Sequence, residues 1–70
     1  MDVIKVDPEI MHGTPCFAGT RVPIRHLFDY LEGNHSIDEF LDDFPTVSKA
    51  QVNAVLELAS ERLLAAPAPR

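Results

Sequence analysis

Tryptophan is absent from this chain, tyrosine and cysteine occur once each, and only six lysines and arginines stand against eleven aspartates and glutamates. Each scarcity excludes something. The single cysteine, Cys16, cannot close an internal disulfide, and His12, His26 and His35 are scattered without a cysteine pair at metal-ligand spacing. No disulfide framework, structural metal or cofactor is therefore expected, and Cys16, in an apolar strand context, reads as a buried structural thiol. A net charge of −5 removes the dense cationic surface that tight binding to a phosphate backbone requires. No apolar run approaches the roughly 20 residues of a membrane span, and the N-terminus lacks the basic, apolar, small-residue order of a secretory leader, so a cytoplasmic protein is expected. At 70 residues one small core is all that can form, and without staples a homodimer is the expected source of further burial.

What the chain does have is concentrated in residues 13–24, Gly-Thr-Pro-Cys-Phe-Ala-Gly-Thr-Arg-Val-Pro-Ile. Gly13 and Gly19 can take positive φ while Pro15 and Pro23 fix φ, so the backbone is specified on both sides of the short extended run Cys16-Phe17-Ala18. The pattern predicts turn, strand, turn. Val22 is pushed to extended geometry by the proline that follows, and Pro23 suits the first turn of a helix opening at Ile24. Upstream, the β-branched run Val3-Ile4-Lys5-Val6 reads as a strand ended by Asp7-Pro8, and its only possible partners lie in residues 15–22, which gives a sheet of two or three short strands.

Three helices follow. Ile24, Leu27, Phe28 and Leu31 recur at helical spacing and Gly33 is placed to end that helix as its left-handed C′ residue. Ser36-Ile37-Asp38-Glu39 is a capping box opening a short second helix with Ile37, Phe40, Leu41 and Phe44 inward and Asp38, Glu39, Asp42 and Asp43 outward. Ser48-Lys49-Ala50-Gln51 is a second capping box, so the third helix starts near Lys49, with Val52, Val55, Leu56, Ala59 and Leu63 forming its inner stripe. Ala54, Leu58 and Leu64 widen the apolar surface beyond what one small core covers, which predicts a second buried contact. The fold class is α+β, mostly α: an N-terminal strand plus hairpin, then a three-helix bundle of helix-turn-helix type, winged-helix or homeodomain-like. Residues 1–66 form the domain and residues 67–70 a frayed tail.

No catalytic constellation is visible. The paired acids at i,i+4 on the second helix lack ligands from another segment and read as a solvated face, and no serine sits in a nucleophile elbow. Tyr30 reads as a half-buried packing residue. If the second and third helices form a helix-turn-helix, Ser48, Lys49, Gln51 and Asn53 stand where base edges are read, with Thr46 just ahead. Yet the preceding helix, which would cross the phosphates, carries four acids. Arg21 and Arg25, beside His26, are the better candidates for phosphate or partner contacts, and Arg21 could equally tie the hairpin to a carboxylate such as Asp29.

The motifs occur in a fixed order: Asp7-Pro8, Gly13-x-Pro15, Gly19-Thr20-Arg21-Val22-Pro23, a short helix closing at Gly33, then Phe44-Pro45-x-Val47-Ser48 opening a last helix. In that order, from about Val3 to Leu64, the chain resembles the domain of unknown function 433 family of small bacterial and archaeal proteins. It departs from the family pattern at His12, where a glycine or small residue is usual, and at Ala18 and Ala50. The resemblance implies a helix-turn-helix relative acting as an antitoxin of the VapB type, masking a PIN-like ribonuclease toxin and binding its own promoter DNA. On that reading the acids Asp38, Glu39, Asp42 and Asp43, together with Leu58 and Leu64, would meet the toxin. A stand-alone dimeric DNA-binding regulator and a small interaction module without DNA binding remain as alternatives.

Overall fold

A computed structural model describes residues 3–65. Two short strands, β1 (Ile4–Lys5) and β2 (Cys16–Phe17), pair antiparallel with Ile4 opposite Phe17 and Lys5 opposite Cys16. The Ala18 N–H donates to the Val3 carbonyl at 2.8 Å and continues the ladder by one bond. The other edge of β2 is closed by its own hairpin: Phe17 N–H donates to Val22 O at 3.0 Å, Ile24 N–H to Pro15 O at 2.9 Å, and Cys16 bridges to Pro23. The expected third strand is thus reduced to a single bridge, because Pro23 has no N–H with which to extend a ladder.

The hairpin tip owes its shape to Gly19. Thr20 N–H returns to Phe17 O at 3.0 Å, and Gly19, third in that turn, has φ +77°, the conformation a type II turn demands there. Thr20 Oγ1 locks the corner by donating to Phe17 O at 2.8 Å and accepting from Val22 N–H at 3.0 Å. Ahead of β2, a one-turn 3₁₀ segment, Met11–Gly13, is wound left-handed, with φ of 52°, 55° and 84° at its three residues. Two of those residues carry side chains in a region that costs roughly 1–2 kcal/mol each. His12 therefore stands where a glycine would be relaxed.

Helix α1 (Ile24–Glu32) begins directly after Pro23. Its C-terminus corrects the expectation for Gly33. Asn34, not Gly33, is the left-handed residue (φ 66°), and the bonds from Asn34 N–H to Leu31 O (3.2 Å) and from His35 N–H to Tyr30 O (2.9 Å) complete a Schellman motif around it. Asparagine tolerates that conformation. Gly33 serves instead as a close-approach residue, since a Cβ there would lie 3.3 Å from the Asp29 carbonyl and from His35 Cδ2.

Both predicted capping boxes are present. Helix α2 (Ile37–Asp43) opens on Ser36, whose Oγ accepts from Glu39 N–H while the Glu39 carboxylate accepts from Ser36 N–H. Helix α3 (Lys49–Ala65) opens on Ser48 with the equivalent pair to Gln51, at 3.1 and 3.0 Å.

The core is one cluster, Phe17, Leu27, Phe40, Val47, Val52 and Val55, with Phe40 at its centre. The Phe40 ring lies 5.9 Å from Phe17, 5.4 Å from Tyr30 and 5.0 Å from Phe44, so one side chain joins the sheet to both shorter helices. Such ring pairs contribute about 0.5–1.5 kcal/mol beyond the apolar area they bury. Cys16 is buried, its thiol donating to Thr14 O, and Tyr30 is half-buried. The inner stripe of α3 ends earlier than its periodicity suggests. Val52 and Val55 are buried and Leu56 and Ala59 are half-buried, but Leu63 is 77% exposed, because no other described element covers it in the last turns of this 17-residue helix. Leu58 and Leu64 are exposed as expected. The tail expected at residues 67–70 lies outside the described residues.

Candidate functional site

The two segments that stood out separately in the sequence, Gly19-Thr20-Arg21-Val22 and the turn after Pro45, meet at one open groove of about 610 Å³. Its floor is apolar, made by Ile10, Cys16 and Val22. Its rim carries Lys5 from β1, Arg21 from the hairpin and Thr46 from the α2–α3 turn, all exposed. The β1–β2 register places Lys5 there, by setting it opposite Cys16. Thr46 is brought to the hairpin through Gln51, whose Nε2 donates to Ala18 O at 3.0 Å across 33 residues of sequence. Asp7 is the acid of the groove, and its Oδ1 is turned to the Glu9 N–H at 2.9 Å.

Lys5 and Arg21 form no ion pair with another described residue, so the suggested Arg21–Asp29 tie is not made. Arg25 lines a different hollow, of about 430 Å³, with Ile4, Pro15, Ile24 and Phe28. The third member of the presumed basic group, His26, packs edge-on against Phe44 at 5.8 Å. The residues that sequence proximity grouped as Arg21, Arg25 and His26 are therefore distributed over three surroundings, and the cation that shares a groove with Arg21 is Lys5. Strand pairing was the signal that could have found it, once the register was known.

At the start of α3 the four candidate base contacts divide. Ser48 and Gln51 satisfy each other in the cap, and both ends of the Gln51 amide are engaged. Lys49 and Asn53 are exposed, and their side chains have no partner among the described residues.

The acidic face divides in the same way. Glu39 accepts from Ser36 N–H at 3.0 Å and pairs with His35 Nδ1 at 3.1 Å. The first of these bonds, then the second, holds its carboxyl below the ordinary glutamate value. Asp43 accepts a 2.6 Å bond from the Tyr30 hydroxyl, which in turn raises the phenol above its ordinary value. Asp38 and Asp42 are exposed and engage no described residue. All four side chains sit on a helix held rigidly at its start, in a stretch, residues 26–48, with no lysine or arginine. Among the described residues no group of three or more His, Cys, Asp or Glu side chains could hold a metal ion, and no described helix is long and apolar enough to cross a membrane.

A three-helix domain with a two-stranded hairpin and a hairpin-to-turn groove is the architecture these observations define. The family model described as protein of unknown function, DUF433, matches residues 4–59, and the chain belongs to that family. It is 28% identical over 51 residues to the uncharacterized protein y4eO of Sinorhizobium fredii (strain NBRC 101917 / NGR234). That match takes in 73% of this chain but only 23% of the relative's length. No solved structure matches the chain.

Proposed function

We propose that this chain acts by binding rather than by catalysis, as an antitoxin-like protein that covers the basic, RNA-binding surface of a PIN-like ribonuclease. The observation that carries this reading is the outer face of α2, where Asp38 and Asp42 engage no described residue and stand beside Glu39 and Asp43 on a capped helix, within a stretch, residues 26–48, that has no lysine or arginine. Opposite charge on such a face accelerates encounter with a basic surface and contributes to specificity. The exposed Leu58, Leu63 and Leu64 on α3 supply apolar surface next in line for burial, against the ribonuclease or a second copy of this chain. Exposed Lys49 and Asn53 at the start of α3 support a second role in binding promoter DNA, with the engaged Gln51 contributing to the helix cap.

The test is a ribonuclease assay. A PIN-like ribonuclease encoded beside the gene for this chain is incubated with labelled RNA and increasing amounts of the purified chain. Loss of cleavage at stoichiometric amounts is expected, and cleavage that continues undiminished at excess would overturn the reading.

A further inference from the structure

The groove at the hairpin brings two cations together in an acidic molecule. Its rim holds two cations, Lys5 and Arg21, against one carboxylate, Asp7, which is already oriented toward the Glu9 N–H, in a chain whose net charge is −5. The backbone N–H groups of Gly19 and Arg21, both groove residues, donate to no acceptor among the described residues, and the Thr46 hydroxyl makes no hydrogen bond there either. Thr20 contributes nothing further, since its hydroxyl is consumed in holding the turn. Two cations, a hydroxyl and two backbone N–H groups without an acceptor among the described residues, all on residues that line one hollow, match a group with several acceptor oxygens and negative charge. Beneath them Ile10, Cys16 and Val22 form an apolar floor that such an anion could not use but a flat ring attached to it could. The volume, about 610 Å³, lies in the range of small-ligand sites.

We propose that this groove binds a nucleotide unit, its phosphate held by Lys5, Arg21 and Thr46 and its base laid on Ile10 and Val22. The assignment is independent of the proposed ribonuclease partner, because it uses none of the residues of α2. A free mononucleotide and a nucleotide within a single strand offer the same chemistry.

Nuclear magnetic resonance titration of the ¹⁵N-labelled full chain separates these cases with three probes: inorganic phosphate, uridine monophosphate and an octamer of deoxythymidine. Phosphate at millimolar concentration should shift the amides of Lys5, residues 19–22 and Thr46 and leave α2 unmoved. Uridine monophosphate should bind about tenfold more tightly than phosphate, and Lys5→Gln and Arg21→Gln should each weaken it about tenfold, while Arg25→Gln, in the other hollow, leaves it unchanged. Both substitutions are at exposed side chains, and unchanged helical circular dichroism confirms that the fold survives. Tighter, salt-dependent binding of the octamer identifies a strand as the source, and octamer binding no tighter than the monophosphate identifies the free nucleotide. Shifts that are absent or spread over the whole surface would overturn the proposal. So would an Arg25→Gln variant weakened as much as Arg21→Gln, or equal affinity for phosphate and the monophosphate.

Discussion

The hairpin wall of the groove and the outer face of α2 are built by the same means and carry opposite charge. In each, a few local bonds fix a short backbone segment: the Thr20 and Gly19 turn on one side, the Ser36–Glu39 capping box on the other. Once the backbone is fixed, charged side chains are left over. Lys5 and Arg21 remain on the first region, Asp38 and Asp42 on the second. This small domain therefore separates its charges by assigning them to different elements, so that a net charge of −5 conceals a hollow with two cations and an acidic helix. Phe40 holds the two apart, touching Phe17 of the hairpin on one side and Tyr30 and Phe44 on the other.

The most severe way to break this arrangement is Phe40→Ala. Removing a fully buried ring costs about 3–5 kcal/mol, which equals the whole stability of about 3–5 kcal/mol that a core of this size supplies. The variant should show no cooperative transition on heating. A melting curve like the parent's would mean that the two regions do not share a core.

A more selective break is Gln51→Ala, which removes the side-chain acceptor of the Ser48 N–H and the bond to Ala18 O together, leaves the Gln51 N–H on Ser48 Oγ, and should cost about 1–2 kcal/mol in urea denaturation. Gln51→Glu keeps the capping acceptor but loses the Nε2 donor, leaving the Ala18 carbonyl facing a carboxylate. It should fall between parent and alanine in stability while moving the amide signals of Ala18 and Gly19. Equal stability of all three proteins would show that the groove wall does not depend on α3.

Relief of strain on the same side is expected from His12→Gly. With φ of 55° at His12, glycine should raise stability by about 1 kcal/mol. A loss instead would mean that the imidazole makes a stabilising contact.

The smallest effect belongs to the acidic side and is a pH dependence. Because the Glu39 carboxyl titrates below its ordinary value in the folded chain, its contribution is present above the unfolded value and lost as pH falls through the folded one. Thermal stability should therefore decline as pH falls through the ordinary glutamate value and below it, and Glu39→Gln, which keeps a capping acceptor without the charge, should flatten that decline. An unchanged acid limb would show that other carboxylates govern it.

Much of the fold was legible because its signals are local. Ser36-x-x-Glu39 and Ser48-x-x-Gln51 announce both helix starts within four residues each, and Gly19 between Ala18 and Thr20 announces the hairpin tip. What was misread depends on what lies beyond the segment. Leu63 continues the apolar period of α3 after the elements that could cover it have ended. Gly33 has the residue type of a left-handed cap, yet the chain places that conformation one position later, on Asn34. The groove was the least legible feature. Lys5 joins it through strand register, and Thr46 through a bond between residues 18 and 51, neither of which a sequence pattern encodes. The acids of α2 were visible as a group, but only the structure shows that Asp43 is bound by Tyr30 and Glu39 by Ser36 and His35, which leaves Asp38 and Asp42 as the pair with no partner among the described residues.

The separation of the two charged regions is tested most directly by the association rate of this chain with the PIN-like ribonuclease proposed as its partner, measured by stopped flow at low and high salt for the parent, for Asp38→Asn/Asp42→Asn, and for Arg21→Gln. The double acid variant should associate about tenfold more slowly than the parent at low salt and lose most of the parent's salt dependence, while Arg21→Gln associates as fast as the parent. An acid variant as fast as the parent, with Arg21→Gln slowed in its place, would contradict the account and move the partner surface to the hairpin.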